Sequence, residues 1–165
     1  MNNIILIGMP GSGKSTIGIV LAKTLGYTFI DTDILIQNQE NRLLQRIIED
    51  EGITRFLNIE SRVITSCDYD RCIIATGGSA VLCENTMNYL SNAGMIVFLK
   101  LSLNAVTERI SNIRTRGIVM EKEQNLKDIY EIRMPLYEEY ADIIVDCNNR
   151  SFEEVVEYLV KMIKK

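Results

Sequence analysis

Short apolar runs alternate along the chain with longer segments in which apolar residues recur every three or four positions. The short runs have the length of buried strands, and the longer segments have the period of amphipathic helices. Because strands alternate with helices, the pattern predicts an α/β fold with a parallel sheet covered on both faces. The predicted strands are Ile4–Ile7, Tyr27–Ile30, Ile73–Ala75, Met95–Leu99 and Ile143–Val145.

Helical patterns occupy most of the chain between these strands. The segment 34–66 is helical in pattern, with breaks expected near Asn41 and Gly52. The segment 112–125 is polar and basic and is expected to form a loop that moves as a lid. With no linker or repeat in between, we expect residues 1–165 to form a single domain with three layers. The other predicted helices are Lys14–Leu25, Leu103–Ile113, Leu126–Tyr140 and Ser151–Ile163.

The overall charge argues against a general nucleic-acid partner. The 165 residues carry 18 basic and 22 acidic side chains, for a formal charge of −4. A nucleic-acid surface needs a basic face that neutralises phosphates, and this composition does not supply one. A local group of cations can still bind a small anion.

Several absences narrow the possible chemistry of the protein and its expected location. The chain has no histidine, so a general base must be a carboxylate, Lys, Tyr or Cys. Its four cysteines follow no metal-binding spacing and are expected to be reduced thiols. No apolar stretch approaches the roughly 20 residues that a membrane helix needs, and no signal peptide is recognisable. We therefore expect a cytoplasmic protein without a membrane partner.

The first strand leads into a complete phosphate-binding motif. Residues 8–15 read Gly-Met-Pro-Gly-Ser-Gly-Lys-Ser, which fits G-x-x-x-x-G-K-[ST], and they open the first predicted helix. Backbone N–H groups of such a loop point at phosphate oxygens, and the helix N-terminus favours negative charge. Lys14 is expected to reach the β- and γ-phosphates of ATP, and Ser15 to contribute its hydroxyl to magnesium. The predicted nucleotide-binding residues are Gly11, Ser12, Gly13, Lys14, Ser15 and Thr16.

Two aspartates follow the second strand, at the edge of the sheet where the phosphate loop is expected. Asp31 and Asp33 could simply cap the next helix. Beside a phosphate loop, one carboxylate could instead orient hydrated magnesium while the other accepts the proton of an acceptor hydroxyl. The spacing alone leaves both interpretations open.

Several motifs together give the chain a resemblance to the shikimate kinase family, which belongs to the nucleoside-monophosphate-kinase-like P-loop enzymes. The resemblance runs over nearly the whole sequence and implies the strand order 2-3-1-4-5. Beyond the phosphate loop, the matching segments are 29–33 (FIDTD), 74–78 (IATGG), the arginine-bearing loop, 133–142 (RMPLYEEYAD) and 145–146 with Arg150.

The resemblance also implies roles for individual residues. Asp31 would support magnesium through water, and Asp33 would be the general base for the acceptor hydroxyl. Arg116 would move over the transferring phosphate, so the implied catalytic residues are Lys14, Asp33 and Arg116. Gly77, Gly78, Ser79 and Arg133 would contact the acceptor, with Arg133 on its carboxylate. Arg109 and Arg150 would lie near the adenine.

The sequence departs from the family pattern in three places, and all lie on the acceptor side or its cover. Leu57 stands where the family has an arginine that binds the substrate carboxylate, within the segment 56–60 (FLNIE). Arg55 is close in sequence, but two residues along a helix is a rotation of roughly 200°, so it should face elsewhere. Ser79 replaces a third glycine, and the lid reads Arg116-Gly117-Ile118 where Arg-Pro-Leu is usual.

The sequence therefore predicts a small-molecule kinase that uses ATP and magnesium. The resemblance implies that the γ-phosphate goes to shikimate, giving shikimate 3-phosphate in aromatic amino-acid biosynthesis, and that the protein is a monomer. Two alternatives stay open. One is the same chemistry on a different hydroxylated, anionic metabolite, because of Leu57. The other is a nucleotide-binding module without phosphotransfer.

Overall fold

Five parallel strands form the central sheet in this computed structural model, which describes residues 3–111, 118–120 and 123–163. The strand order is β2-β3-β1-β4-β5, as the resemblance implied. The registers are continuous: Ile5 pairs with Ile74 of one neighbouring strand and with Ile96 of the other. The strands are β1 (Asn3–Ile7), β2 (Thr28–Asp31), β3 (Cys72–Ala75), β4 (Gly94–Lys100) and β5 (Ile143–Asp146).

Helices cover both faces of this sheet and seal an apolar core against it. The central strands β1, β3 and β4 are almost entirely buried because they have helices above and below. The helices are α1 (Lys14–Leu25), α2 (Thr32–Glu40), α3 (Leu44–Thr65), α4 (Glu84–Ala93), α5 (Leu103–Ser111), α6 (Leu126–Tyr140) and α7 (Phe152–Ile163).

The segment predicted to be helical between 34 and 66 consists of α2 and α3. Asn41 ends α2 in a left-handed conformation with φ 51°, and Gly52 kinks α3 with φ 79° and ψ 169°. Both predicted breaks are confirmed. The two helices have a small apolar core of their own around Ile36, Ile47 and Phe56. An ion pair of 2.6 Å between Arg62 Nη2 and Glu40 Oε1 also joins them.

One helix was not predicted from the apolar spacing. Helix α4 is mostly polar in sequence, and its buried positions are only Thr86, Met87 and Leu90. It packs on β4 and on α3. Within the described part of the chain, none of the helices combines the length and apolar character that a bilayer span requires.

Candidate active site

The phosphate loop, residues 8–15, connects β1 to the N-terminus of α1. Gly11 and Gly13 take positive φ angles of 80° and 93°, which favour glycine. A side chain on Gly13 would also lie only 2.8 Å from the ring of Phe152. These constraints explain why the loop has glycine at position 11 and at position 13, the second of which the motif prescribes. The loop opens a helix of 12 residues, as a phosphate site requires.

Lys14 is held inside this loop. Its Nζ donates hydrogen bonds to the carbonyl oxygens of Gly8 at 2.7 Å and Met9 at 2.9 Å, and only 7% of the residue is exposed. Ser12 contributes a longer contact of 3.4 Å through its Oγ. The ammonium group is therefore fixed by the loop that would bind the phosphates, where its charge is little screened by solvent.

Ser15 and Asp31 face one another across the start of α1 and the end of β2. Ser15 Oγ donates to Asp31 Oδ2 at 2.7 Å, while Asp31 Oδ1 accepts from the backbone N–H groups of Asp33 and Ile34. Asp31 thus caps α2, as one interpretation predicted, and also reaches the phosphate loop. A hydroxyl and a carboxylate are the hard oxygen donors that magnesium takes when phosphates and water complete its shell. No larger cluster of acidic, histidine or cysteine ligands occurs among residues 3–111, 118–120 and 123–163.

Asp33 lies in the first turn of α2 and faces the loop after β3. Gly77 N–H donates to the buried Thr32 Oγ1 at 3.1 Å, which fixes this loop against α2. A side chain on Gly77 would lie 2.7 Å from Asp33 Oδ1, so the carboxylate is in close contact with the Gly77 backbone. A cavity of about 40 Å³ brings Asp33 together with Lys14, Ser15, Asp31, Pro10, Thr76, Gly78 and Ile118.

Arg133 comes from α6 and is 3% exposed. Its Nη2 donates to the carbonyl oxygen of Val119 at 2.7 Å, and its Nη1 lies 3.3 Å from the position of a side chain on Gly78. Tyr137, one turn later, donates its hydroxyl to the Gly78 carbonyl oxygen at 2.7 Å. The guanidinium of Arg133 therefore lies next to Gly78, which also borders the Asp33 cavity.

Leu57 and Arg133 both border a second, mainly apolar cavity of about 190 Å³. Arg55 does not reach this cavity: 61% of its side chain is exposed, and its Nε pairs with Glu51 Oε2 at 3.3 Å. The predicted orientation of Arg55 is confirmed, and it does not replace the missing arginine. The cavity is lined by Ile53, Leu57, Leu82, Val119, Gln124, Ile129, Ile132 and Arg133.

Glu60 belongs to this region, although the sequence analysis did not assign it to the site. It is 1% exposed, its Oε2 accepts from Ser79 Oγ at 2.8 Å, and its Oε1 has no hydrogen-bond partner among the described residues. Burial, followed by the nearby charge of Asp33, raises the pKa of Glu60 from 4.5 to about 8. At neutral pH it is mainly a neutral acid. In the sequence, the feature that could have assigned Glu60 to the site is its position three residues after Leu57.

Replacing Glu60 by glutamine tests this protonation state through stability. The folded protein keeps the Glu60 proton up to about pH 8, whereas the unfolded chain releases it near pH 4.5. The free energy of unfolding of the wild type should therefore fall relative to Glu60→Gln as pH rises across that window. Urea denaturation of both proteins at pH 5, 6.5 and 8 measures the difference. Glu157→Gln, on an exposed helix face, is the matched control. A difference that stays constant with pH would contradict the assignment.

Of the two arginines expected near the adenine, Arg109 lies beside the phosphate loop, whereas the guanidinium of Arg150 lies 5.3 Å from the ring centroid of Tyr158 in α7. Arg109 donates to the Gly11 carbonyl oxygen at 3.3 Å and places its guanidinium 5.5 Å from the Phe152 ring centroid. Burial raises the pKa of the Cys147 thiol to about 11, and the charges of Arg109 and Arg150 oppose this shift, so both arginines are close to Cys147. Thr16 is exposed in the first turn of α1. Arg116 lies outside the described residues, as does most of the predicted lid.

A phosphate loop with its lysine, a magnesium-compatible pair and a carboxylate in the same cavity define a P-loop phosphotransferase. A family model described as shikimate kinase matches residues 10–164. Shikimate kinase from Thermodesulfovibrio yellowstonii is 37% identical over 98% of this chain and 94% of its own length. The Rippkaea orientalis shikimate kinase is 39% identical over 98% of this chain and 87% of its own length. The solved shikimate kinase from Acinetobacter baumannii in complex with shikimate is 30% identical. It superposes with a TM-score of 0.90 over 99% of this chain and 93% of that one.

The chain belongs to the shikimate kinase family. This membership confirms the predictions of a P-loop α/β fold, of an enzyme that transfers phosphate to an alcohol group, and of ATP with magnesium as cofactors. Membership of this family also agrees with the prediction that the substrate is a small molecule.

Proposed function

We propose that this protein transfers the γ-phosphate of ATP to shikimate, forming shikimate 3-phosphate. The observation that carries the proposal is the shared cavity: Lys14, Asp31 and Asp33 border it together, and Gly78, which also borders it, lies next to the buried Arg133. Phosphate, metal, acceptor hydroxyl and acceptor carboxylate then each have a partner at or next to this cavity. The solved relative from Acinetobacter baumannii, which is in complex with shikimate, supports the same choice of acceptor.

In this reaction the protein contributes mainly position and charge. Lys14 stabilises negative charge on the β- and γ-phosphoryl oxygens, and Asp33 accepts the proton of the attacking hydroxyl. Gly77 and Gly78 allow the acceptor to approach the backbone, and Arg133 binds its carboxylate. Ser15 and Asp31 would hold magnesium, which neutralises phosphate charge when bound.

The nucleotide lies along the phosphate loop, whose inward N–H groups bind its phosphates. Arg109 and Arg150 flank the adenine, and Arg116 covers the transferring phosphate. Ile118 and Val119 form the described part of the cover: Ile118 borders the Asp33 cavity and the Val119 carbonyl accepts from Arg133. A cover at this place reduces hydrolysis of ATP by water.

We further propose that residues 1–165 act as one domain and as a monomer in the cytoplasm, with a lid at 112–125 and acceptor-binding helices at 34–66. The cysteines Cys67, Cys72, Cys83 and Cys147 are free thiols, as expected for a reducing compartment.

Steady-state release of ADP tests the choice of acceptor. With Mg-ATP and increasing shikimate up to several millimolar, we expect saturable ADP release far above the rate without acceptor. A protein that binds ATP but shows only background hydrolysis would contradict the proposal. The apolar cavity beside Leu57 would then favour a second function, the same transfer to a hydroxylated anion that carries an apolar group.

A further inference from the structure

Ser79 is one of the three departures from the family pattern, and its hydroxyl is not directed into the Asp33 cavity. It is 4% exposed and donates to Glu60 Oε2 at 2.8 Å, across a separation of 19 residues in the chain. Its backbone is relaxed, with φ −88° and ψ −15°. The side chain therefore forms a buried link between the loop after β3 and helix α3.

Glu60 in turn borders the space in which Asp33 lies. The first side-chain atom of any residue at position 77 would lie 2.6 Å from Glu60 Oε1 and 2.7 Å from Asp33 Oδ1. The two carboxyl groups therefore both lie against Gly77. Glu60 Oε1 has no partner among the described residues. The orientation of the Glu60 carboxyl consequently depends on what holds its other oxygen.

Because position 57 is a leucine, Glu60 lacks the cationic partner that an arginine there would provide. Residues three apart on a helix are neighbours on its surface, so a cation at position 57 would lie beside Glu60. The groups that face Glu60 electrostatically are Asp33 from α2, Arg133 from α6 and Cys83 before α4. Arg133 Nη2 is already bound to the Val119 carbonyl oxygen. Ser79 is the one residue in the described part of the chain with a hydrogen bond to the carboxyl group of Glu60.

We infer that Ser79 is a positioning residue: its hydroxyl fixes the Glu60 carboxyl beside Asp33 and replaces the support that a cation at position 57 would give. The inference rests on the proposed function, because it concerns the base of that reaction. The hydroxyl of Ser79 then compensates for the cation that Leu57 does not provide, and the two departures are linked through Glu60. A neutral hydroxyl is a suitable partner for the Glu60 carboxyl group, because Glu60 is mainly protonated at neutral pH.

Kinetics of Ser79→Ala in two backgrounds test the inference. In the wild-type background we expect kcat with shikimate to fall about tenfold, because Glu60 loses its hydrogen bond in a buried site. The KM for ATP should stay within about twofold, since the phosphate loop is unchanged. In the Leu57→Arg background the same substitution should cost at most about threefold, because the guanidinium supplies the missing donor.

The matched control is Ser61→Ala on α3, whose hydroxyl contacts Cys83 Sγ and not Glu60. Thermal unfolding verifies folding, and Ser79→Gly serves as a second variant where alanine fails to fold. Wild-type kcat in either Ser79 variant, or an equal loss in both backgrounds, would overturn the inference. A wild type inactive with shikimate refutes the proposed function instead, and the comparison is then made with the acceptor that supports turnover.

Discussion

Lys14→Ala is expected to lower kcat by about a thousandfold. The ammonium group is fixed by the carbonyl oxygens of Gly8 and Met9 within the phosphate loop, and it is almost fully buried. A preorganised cation of this kind stabilises the transferring phosphoryl group without reorganisation during the reaction. Removing one such electrostatic contact typically costs about 10²–10³ in kcat. Initial rates with saturating Mg-ATP and shikimate measure the effect.

Lys23→Ala is the control for this variant. Lys23 lies near the C-terminal end of the same helix α1 and is exposed, so its loss removes a lysine from the helix but not from the loop. We expect the control to keep wild-type kcat and both variants to stay folded by circular dichroism. A Lys14→Ala protein with kcat within tenfold of wild type would contradict the role given to this residue.

Asp33→Asn is expected to reduce kcat by at least about 10²-fold while the affinity for ATP changes by no more than a few-fold. The amide keeps the shape of the side chain beside Gly77 but cannot accept the proton of an acceptor hydroxyl. Calorimetric titration with a non-hydrolysable ATP analogue measures the affinity, and the ADP assay measures kcat.

Asp68→Asn, at an exposed position between α3 and β3, controls for the change in net charge. An Asp33→Asn enzyme that turns over shikimate at the wild-type rate would exclude Asp33 as the base. Because histidine is absent from the chain, another carboxylate, lysine, tyrosine or cysteine would then have to be found.

The nucleotide side of the site was predictable because it is local in sequence. The conformations of Gly11 and Gly13, and the start of α1 at Lys14, follow from a motif of eight residues. The strand order was not contained in the apolar pattern and came from resemblance to a family. Helix α4 was missed because it is short and mostly polar in sequence, with Thr86, Met87 and Leu90 as its buried positions.

The acceptor side depends on contacts between distant segments, and the sequence revealed less of it. Leu57 and Ser79 were recognised as separate departures, but the hydrogen bond that joins Ser79 to Glu60 spans two elements. Neither residue, considered by itself in the sequence, indicates this hydrogen bond. Asp31 illustrates another limit: it caps α2, as one interpretation predicted, and it also accepts a hydrogen bond from Ser15, which the spacing alone did not indicate.

Phosphorus NMR of the reaction mixture shows directly whether phosphate is transferred to shikimate. With Mg-ATP, shikimate and the wild-type protein, we expect a phosphate monoester resonance coupled to the single proton on carbon 3 of the ring. This resonance should grow in step with ADP and remain near background with Asp33→Asn. Formation of ADP and inorganic phosphate without a new ester would contradict the claim that shikimate is the acceptor.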